Sequence, residues 1–198
     1  MKQYRYAVLT PLLTLLAPAT AWSQTAVRIR GTITEVQGNV LAVKTREGQD
    51  LTLRLADKLV VAVARPLRLA DLKPGDYVGG SAVRAADGAL EAHSVHTLAA
   101  TVAEGHGPWD LLPGSTMTNA TIAALVTATG RQQLTLKYQD GAQTIRVPNN
   151  TPMATTVPGD RSALKPGEYV FVAAQRAADG ALTALRIQVS RDGVRPPQ

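Results

Sequence analysis

The sequence contains no cysteine, which excludes disulfide bonds, thiolate metal ligands and a lipid-modified N-terminal cysteine. Aromatic residues make up only 4% of the 198 residues, too few for the stacking surfaces that bind single-stranded nucleic acid. Lysine and arginine are scattered rather than clustered, although the net charge is +6. We therefore predict no nucleic-acid partner. Apolar residues make up 45% of the chain, so stability is expected to come from packing alone.

Long apolar runs are also scarce, and the longest lies at the N-terminus. Lys2 and Arg5 precede an uncharged stretch over residues 7–21, which is the pattern of a cleavable secretory signal. We predict cleavage between Ser23 and Gln24, which removes two basic residues and leaves a net charge of +4. The mature chain then has no segment long enough to span a membrane. These features predict a periplasmic or secreted protein.

An internal repeat organises the remaining chain. The segment Leu72–Val78 recurs as Leu164–Val170 with one substitution, and Arg84–Leu90 recurs unchanged at Arg176–Leu182. The offset is 92 residues in both cases, and 14 of the 19 positions from 72 to 90 are identical. A period of this length indicates two copies of one structural unit.

Both copies have the pattern of β-structure. Leu51, Leu53 and Leu55 alternate with polar residues, and Asp-Gly pairs at 87–88 and 179–180 lie between apolar runs. Alternation predicts strands, and Asp-Gly predicts tight hairpin turns. We predict an all-β fold of two tandem OB-like small β-barrels, with an open sandwich as the second choice. The predicted divisions are a signal peptide (1–23), β-barrel module one (24–98), a junction (99–117), β-barrel module two (118–190) and a tail (191–198).

Two local features refine this prediction. Gly31 is followed by a slip in the apolar phase between Ile33 and Glu35, which indicates a β-bulge or bend in the first strand. A bent first strand is what a small barrel needs to pair at both ends. One helical turn fits within residues 66–72, and its counterpart fits within 158–164, each ended by Lys-Pro-Gly.

The motif Leu72–Val78, followed by a strand, an Asp-Gly turn and another strand, resembles a bacterial family catalogued as domain of unknown function 5666. The segments Glu104–Asp110 and Gly114–Asn119 also look like the proteobacterial members of that family. The resemblance covers both modules and the junction. It implies an exported protein with small β-barrel domains, often in tandem, and it brings no catalytic residues.

The repeat also separates residues that serve the fold from residues that could serve a site. Residues matched in both modules are expected to be structural, whereas unmatched polar residues concentrate at the end of module one and in the junction. We predict a non-enzymatic protein without a cofactor, acting in binding or in envelope structure, whose partner is an unknown envelope protein, peptide or glycan. The candidate binding residues are Glu104, His106, Trp109, Asp110, Thr116 and Asn119.

A metal site is the main alternative, in which His106 joins His93 or His96 to bind zinc or copper. Residues three apart on a strand point to opposite faces. By comparison with Leu185 and Gln188 in module two, we predict that His93 points inward and His96 outward.

Two further interpretations concern the junction. Ser115, His106 and Asp110 include the residue types of a hydrolytic triad, but no nucleophile elbow surrounds the serine. The junction could instead be purely structural, with Trp109 as a wedge between the barrels and Asp110 capping a turn.

Overall fold

The computed structural model describes residues 25–128 and 131–196, so the predicted signal peptide and its cleavage point lie outside the described residues. The described part is all-β, as predicted, with two short 3₁₀ turns at Leu69–Asp71 and Arg161–Ala163 where helical turns were expected. The strands are β1 (Thr25–Gln37), β2 (Val40–Thr45), β3 (Asp50–Pro66), β4 (Tyr77–Arg84), β5 (Leu90–Thr97), β6 (Gly105–Pro108), β7 (Thr116–Ala128), β8 (Arg131–Tyr138), β9 (Gly141–Arg146), β10 (Met153–Gly159), β11 (Tyr169–Arg176) and β12 (Leu182–Val189).

Strand pairing closes two five-stranded rings. Ring A runs β1-β2-β3-β12-β11 and back to β1, with β3 and β12 parallel. Ring B runs β7-β8-β9-β5-β4 and back to β7, with β9 and β5 parallel. Each ring encloses its own apolar core, formed around Ile33, Leu53 and Ile187 in ring A and around Val95, Ile122 and Leu136 in ring B.

The rings do not coincide with the sequence modules. Ring A takes three strands from module one and the last hairpin of module two, whereas ring B takes three strands from module two and the last hairpin of module one. The expectation that 24–98 and 118–190 each form a barrel from contiguous strands is therefore wrong. The two modules have exchanged their C-terminal hairpins within one chain.

The long strand β3 explains the exchange. It has 17 residues, and its second half pairs with β12 of ring A on one side and with β10 on the other. The pairing of Ala64 with Thr156 marks the centre of an approximate two-fold relation, because these residues occupy the same position in the two modules. The 3₁₀ turn and hairpin that follow β3 therefore belong to ring B, and those that follow β10 belong to ring A.

The predicted irregularity in the first strand is confirmed. The register of β1 against β2 shifts between Ile33 and Glu35, and β7 shifts against β8 at the corresponding place, between Ile122 and Ala124. At this bulge each first strand bends from one neighbour to the next, which lets a small ring close.

Candidate functional site

The first half of the junction is attached to ring B as an extra strand. β6 pairs antiparallel with residues 116–119 of β7, on the side away from β4. His106 Nδ1 lies 2.9 Å from the Thr118 hydroxyl, and its ring stacks on Tyr138 with centroids 6.2 Å apart. The Glu104 carboxylate accepts a hydrogen bond from the backbone N–H of Gln139 at 3.1 Å. His106 and Glu104 are therefore already bonded to other residues of ring B.

The second half of the junction docks against arginines of ring A. Arg28 lies over the Trp109 ring, 4.3 Å from its centroid. Arg30 Nη2 donates to Asp110 Oδ1 at 2.7 Å, and Arg46 donates to the carbonyls of Asp110 and Leu111 at 3.2 and 2.9 Å. Trp109 thus packs against the arginines of ring A. We call Arg28, Arg30 and Arg46 the arginine cluster.

Arg30 is the buried member of the arginine cluster. Its side chain is 4% exposed, whereas that of its partner Asp110 is 47% exposed. Its guanidinium also lies 5.0 Å from the centre of the Phe171 ring. Among the described residues, Arg30 Nε and Trp109 Nε1 are buried donors without a hydrogen-bond acceptor. A buried donor without an acceptor costs about 1–3 kcal/mol.

The charge state of Asp110 follows from these contacts. Partial burial acts to raise the pKa of Asp110, but the hydrogen bond from Arg30 and the charges of Arg30 and Arg28 outweigh it. The pKa of this carboxyl is therefore below its ordinary value. Asp110 is an anion at neutral pH and neutralises only part of the positive charge around it.

A groove lies beside the arginine cluster, between β1 and the β2–β3 turn. Its volume is about 310 Å³, and its lining includes Ile29 and Leu51 as well as the arginine cluster. Arg176 adds a fourth guanidinium, whereas the acids of the lining are Glu47 and Asp110. We call this space the β1 groove. It combines a few apolar side chains with an excess of positive charge.

The remaining predicted residues anchor the junction rather than line the β1 groove. Asn119 donates to the Ala103 carbonyl at 3.3 Å, and Thr116 approaches the Ala82 carbonyl at 3.5 Å. The Ser115 hydroxyl is held in a turn by the carbonyls of Trp109 and Leu112. The predicted binding residues therefore do not form one site.

The structure does not assemble the hydrolytic triad. Ser115 contacts backbone atoms of its own turn, His106 contacts Thr118, and Asp110 contacts Arg30. Each of the three side chains is engaged with a different partner, so no serine–histidine–aspartate relay exists.

The inward orientation predicted for His93 is wrong, and His96 is buried although its side chain lies outside the ring core. His96 is buried at 3% exposure, whereas His93 is exposed. The register of β4 against β5 shifts between Ser81 and Ala82, so that His93 is an extra residue and the side-chain phase changes there. β12 has the same irregularity at Leu185, which is 38% exposed. The bulge of one residue accounts for His93. His96 alternates with the core residue Val95, so it lies on the other face of β5, where it is buried against Gly79.

The metal alternative gains no support from the geometry. His106 lies on β6 beside Thr118, His96 lies against Gly79, and His93 is exposed on β5. Within residues 25–128 and 131–196, no three His, Asp or Glu side chains are grouped so that they could hold a metal ion. In the same residues no helix has the length and hydropathy needed to cross a membrane.

We expect His96 to make the fold sensitive to acid. Burial lowers its pKa from 6.5 to about 4, so the imidazole is neutral in the folded state. The unfolded chain takes up a proton near pH 6.5, so stability falls as the pH drops from there towards 4. At pH 5 the expected loss is roughly 2 kcal/mol relative to pH 7. Urea unfolding at the two pH values measures it.

The control for this prediction is His96→Gln, since glutamine (Gln188) occupies the corresponding position of module two. Glutamine does not titrate, so the variant should lose much less stability between pH 7 and pH 5. An equal loss in both proteins would show that another group is responsible.

Comparison with known protein families gives a match for most of the second module. Residues 122–188 match the family model described as Domain of unknown function (DUF5666). The resemblance predicted from the sequence is thereby confirmed for this segment. The DUF5666 segment begins inside β7 and ends inside β12, so its strands contribute to both rings. No curated protein and no solved structure is significantly similar to the chain.

The arginine cluster was not predicted from the sequence. Its members are separated by up to 18 positions and converge with Asp110 only in the folded chain. The alternation of Arg28 and Arg30 with the apolar Val27 and Ile29 was a usable signal, because it places two guanidiniums on one face of a strand.

Proposed function

We propose that this chain is an exported, non-enzymatic binding protein of the cell envelope that holds a protein or peptide partner at the β1 groove. Export is supported by the basic start and apolar stretch of the sequence.

We further propose that the two rings are OB-like barrels. Each has five strands, begins with a bent strand and closes through one parallel pair, with a 3₁₀ turn before its last hairpin. OB-folds are five-stranded barrels that present a sheet face and loops to ligands. This architecture supports a binding function without naming the ligand.

The observation that carries the binding proposal is the excess of donors at the β1 groove. Four guanidiniums line this groove and face only two carboxylates. Guanidinium groups bind carboxylates through strong, charge-assisted hydrogen bonds. The fitting partner is therefore one that brings carboxylates to this basic groove, as a protein or peptide does.

Site-specific photo-crosslinking in whole cells tests the function. A photoreactive residue replaces Arg46 in one variant and Val126 in the other, since Val126 is 51% exposed on ring B and serves as the matched control. We expect an envelope adduct from position 46 that is absent from position 126. The recovered protein should begin at Gln24, as measured by mass.

Two results would overturn the proposal. One is recovery of the uncleaved chain in the cytoplasm, which would remove the export step. The other is an identical adduct pattern from both positions, or no adduct from position 46, which would remove the β1 groove as the contact surface.

A further inference from the structure

The two rings differ at one equivalent edge. In ring B, residues 116–119 of β7 pair with β4 on one side and with β6 on the other. Thr32 pairs with Tyr169 and Thr121 pairs with Tyr77, and these two tyrosines occupy the same position in the two modules. The stretch of β1 that corresponds to residues 116–119 of β7 is therefore 27–30. This stretch pairs with β11, but among the described strands none pairs with its second side. The β1 groove lies along that second side.

The backbone of β1 offers hydrogen bonds to this groove. In ring B, the Trp109 N–H donates to the Ser115 carbonyl. The backbone groups of every second residue from Ser115 onward, Met117 and Asn119, therefore point towards β6. In ring A, Arg46 N–H donates to the Arg30 carbonyl on the corresponding side. Because peptide groups alternate along a strand, Arg28 also directs its N–H and C=O towards the groove. An added strand could therefore pair with Arg28 as β6 pairs with Met117, whereas the Arg30 carbonyl is already bonded to Arg46.

The side chains around this edge select the occupant. Arg28 and Arg46 are 49% and 38% exposed, so both can turn towards a new partner while Arg30 stays with Asp110. The corresponding residues of ring B are not basic: Met117 and Asn119 stand in place of Arg28 and Arg30. Acidic side chains therefore complement ring A at positions where ring B accepts the glycine-rich β6.

We propose that the open edge of β1 binds an extended peptide with acidic side chains, which adds to ring A as an antiparallel strand in the way that β6 adds to β7. Main-chain hydrogen bonds to Arg28 hold the peptide, and the arginine cluster selects for carboxylates. This inference rests on the proposed binding function and names the chemistry of its partner.

The test measures binding of a labelled short peptide in which glutamate alternates with valine, using protein purified after expression of the full sequence. Fluorescence anisotropy should show saturable binding that weakens as salt is added, because charge pairs are screened. The same peptide with lysine in place of glutamate should bind at least about tenfold more weakly. Equal binding of the two peptides would overturn the selection by charge.

A pair of variants isolates the backbone contribution. Arg28→Ala and Arg28→Pro both remove the guanidinium, but only proline also removes the N–H that faces the groove. That N–H is not used by β11, so proline is tolerable at this edge. We expect Arg28→Pro to bind about tenfold more weakly than Arg28→Ala, as the loss of one main-chain hydrogen bond predicts. Thermal unfolding confirms that both variants are folded.

A modified peptide gives the same information without altering the protein. Methylation of the peptide amides that would face β1 should abolish binding, whereas methylation of the opposite edge should not. If neither the proline variant nor this methylation weakens binding, strand addition is wrong. If the acidic peptide does not bind while position 46 still gives an envelope adduct, the binding function stands with a partner of another chemistry.

Two other occupants would also overturn the proposal. A dimer that Arg28→Pro dissociates would assign the edge to a second copy of the chain. Recovery of a protein that retains residues 1–24 and excludes the peptide would assign the edge to that segment.

Discussion

Cleavage of the chain between Ala99 and Ala100 is expected to leave a single particle of unchanged mass. Both residues are exposed, and they lie between β5 and β6 where the two modules join. Each ring draws strands from both fragments, so separation would open both apolar cores. A recognition sequence for a specific protease inserted at this point, followed by gel filtration of the digest, makes the measurement.

The fragments expressed separately provide the control. Each contains a first sheet of three strands and a hairpin that belongs to the other ring, so neither fragment alone can complete the observed rings. We expect little ordered β-structure from either one by circular dichroism, and recovery of the native spectrum after mixing. Release of two independently folded fragments on cleavage would show that each module closes its own barrel and would contradict the exchange.

Gly31→Ala is expected to have the largest effect of any single methyl group in ring A. A Cβ at this position would lie 2.2 Å from the Lys44 carbonyl oxygen and 2.8 Å from Thr45 Cα. Both are backbone atoms of β2, which cannot move without breaking the pairing of β1 with β2. Overpacking of this kind costs about 3 kcal/mol. Urea unfolding measures the loss.

Gly107→Ala is the matched control. Gly107 also lies in a strand, yet a Cβ there would meet nothing within 4 Å. We expect a change of less than about 0.5 kcal/mol. Similar unfolding midpoints for the two variants would mean that β2 yields to the added methyl and that the close approach at Gly31 has no energetic weight.

The strand pattern could be predicted from the sequence because its causes are local. Alternation around Leu53 forms β3, the phase slip at Glu35 appears as a bulge, and Asp179-Gly180 lies at the turn between β11 and β12. Each of these signals depends on a few neighbouring residues. The same reasoning failed at His93, where a bulge in β5 left no glycine or proline to mark it.

The choice of partner strands could not be predicted from the sequence because the repeat makes it ambiguous. The two C-terminal hairpins are so alike that either could complete either ring. The outcome depends on whether the chain after β3 turns back to ring A or crosses to ring B while β3 pairs with β10, which is a competition between long-range contacts. The arginine cluster was hidden for a related reason, since Arg46 meets Asp110 only after this assembly.

The exchanged hairpins also set the order in which the molecule can be completed during synthesis. Ring B has all its strands once β9 has emerged at Arg146, whereas ring A waits for β12, which ends at Val189. Until then β1, β2 and β3 form a sheet with two unpaired edges attached to a finished barrel. The final closure joins Ile29 to Val172 across most of the chain. Because such distant contacts form slowly, we expect ring A to close last, when the final hairpin pairs with β1 and β3.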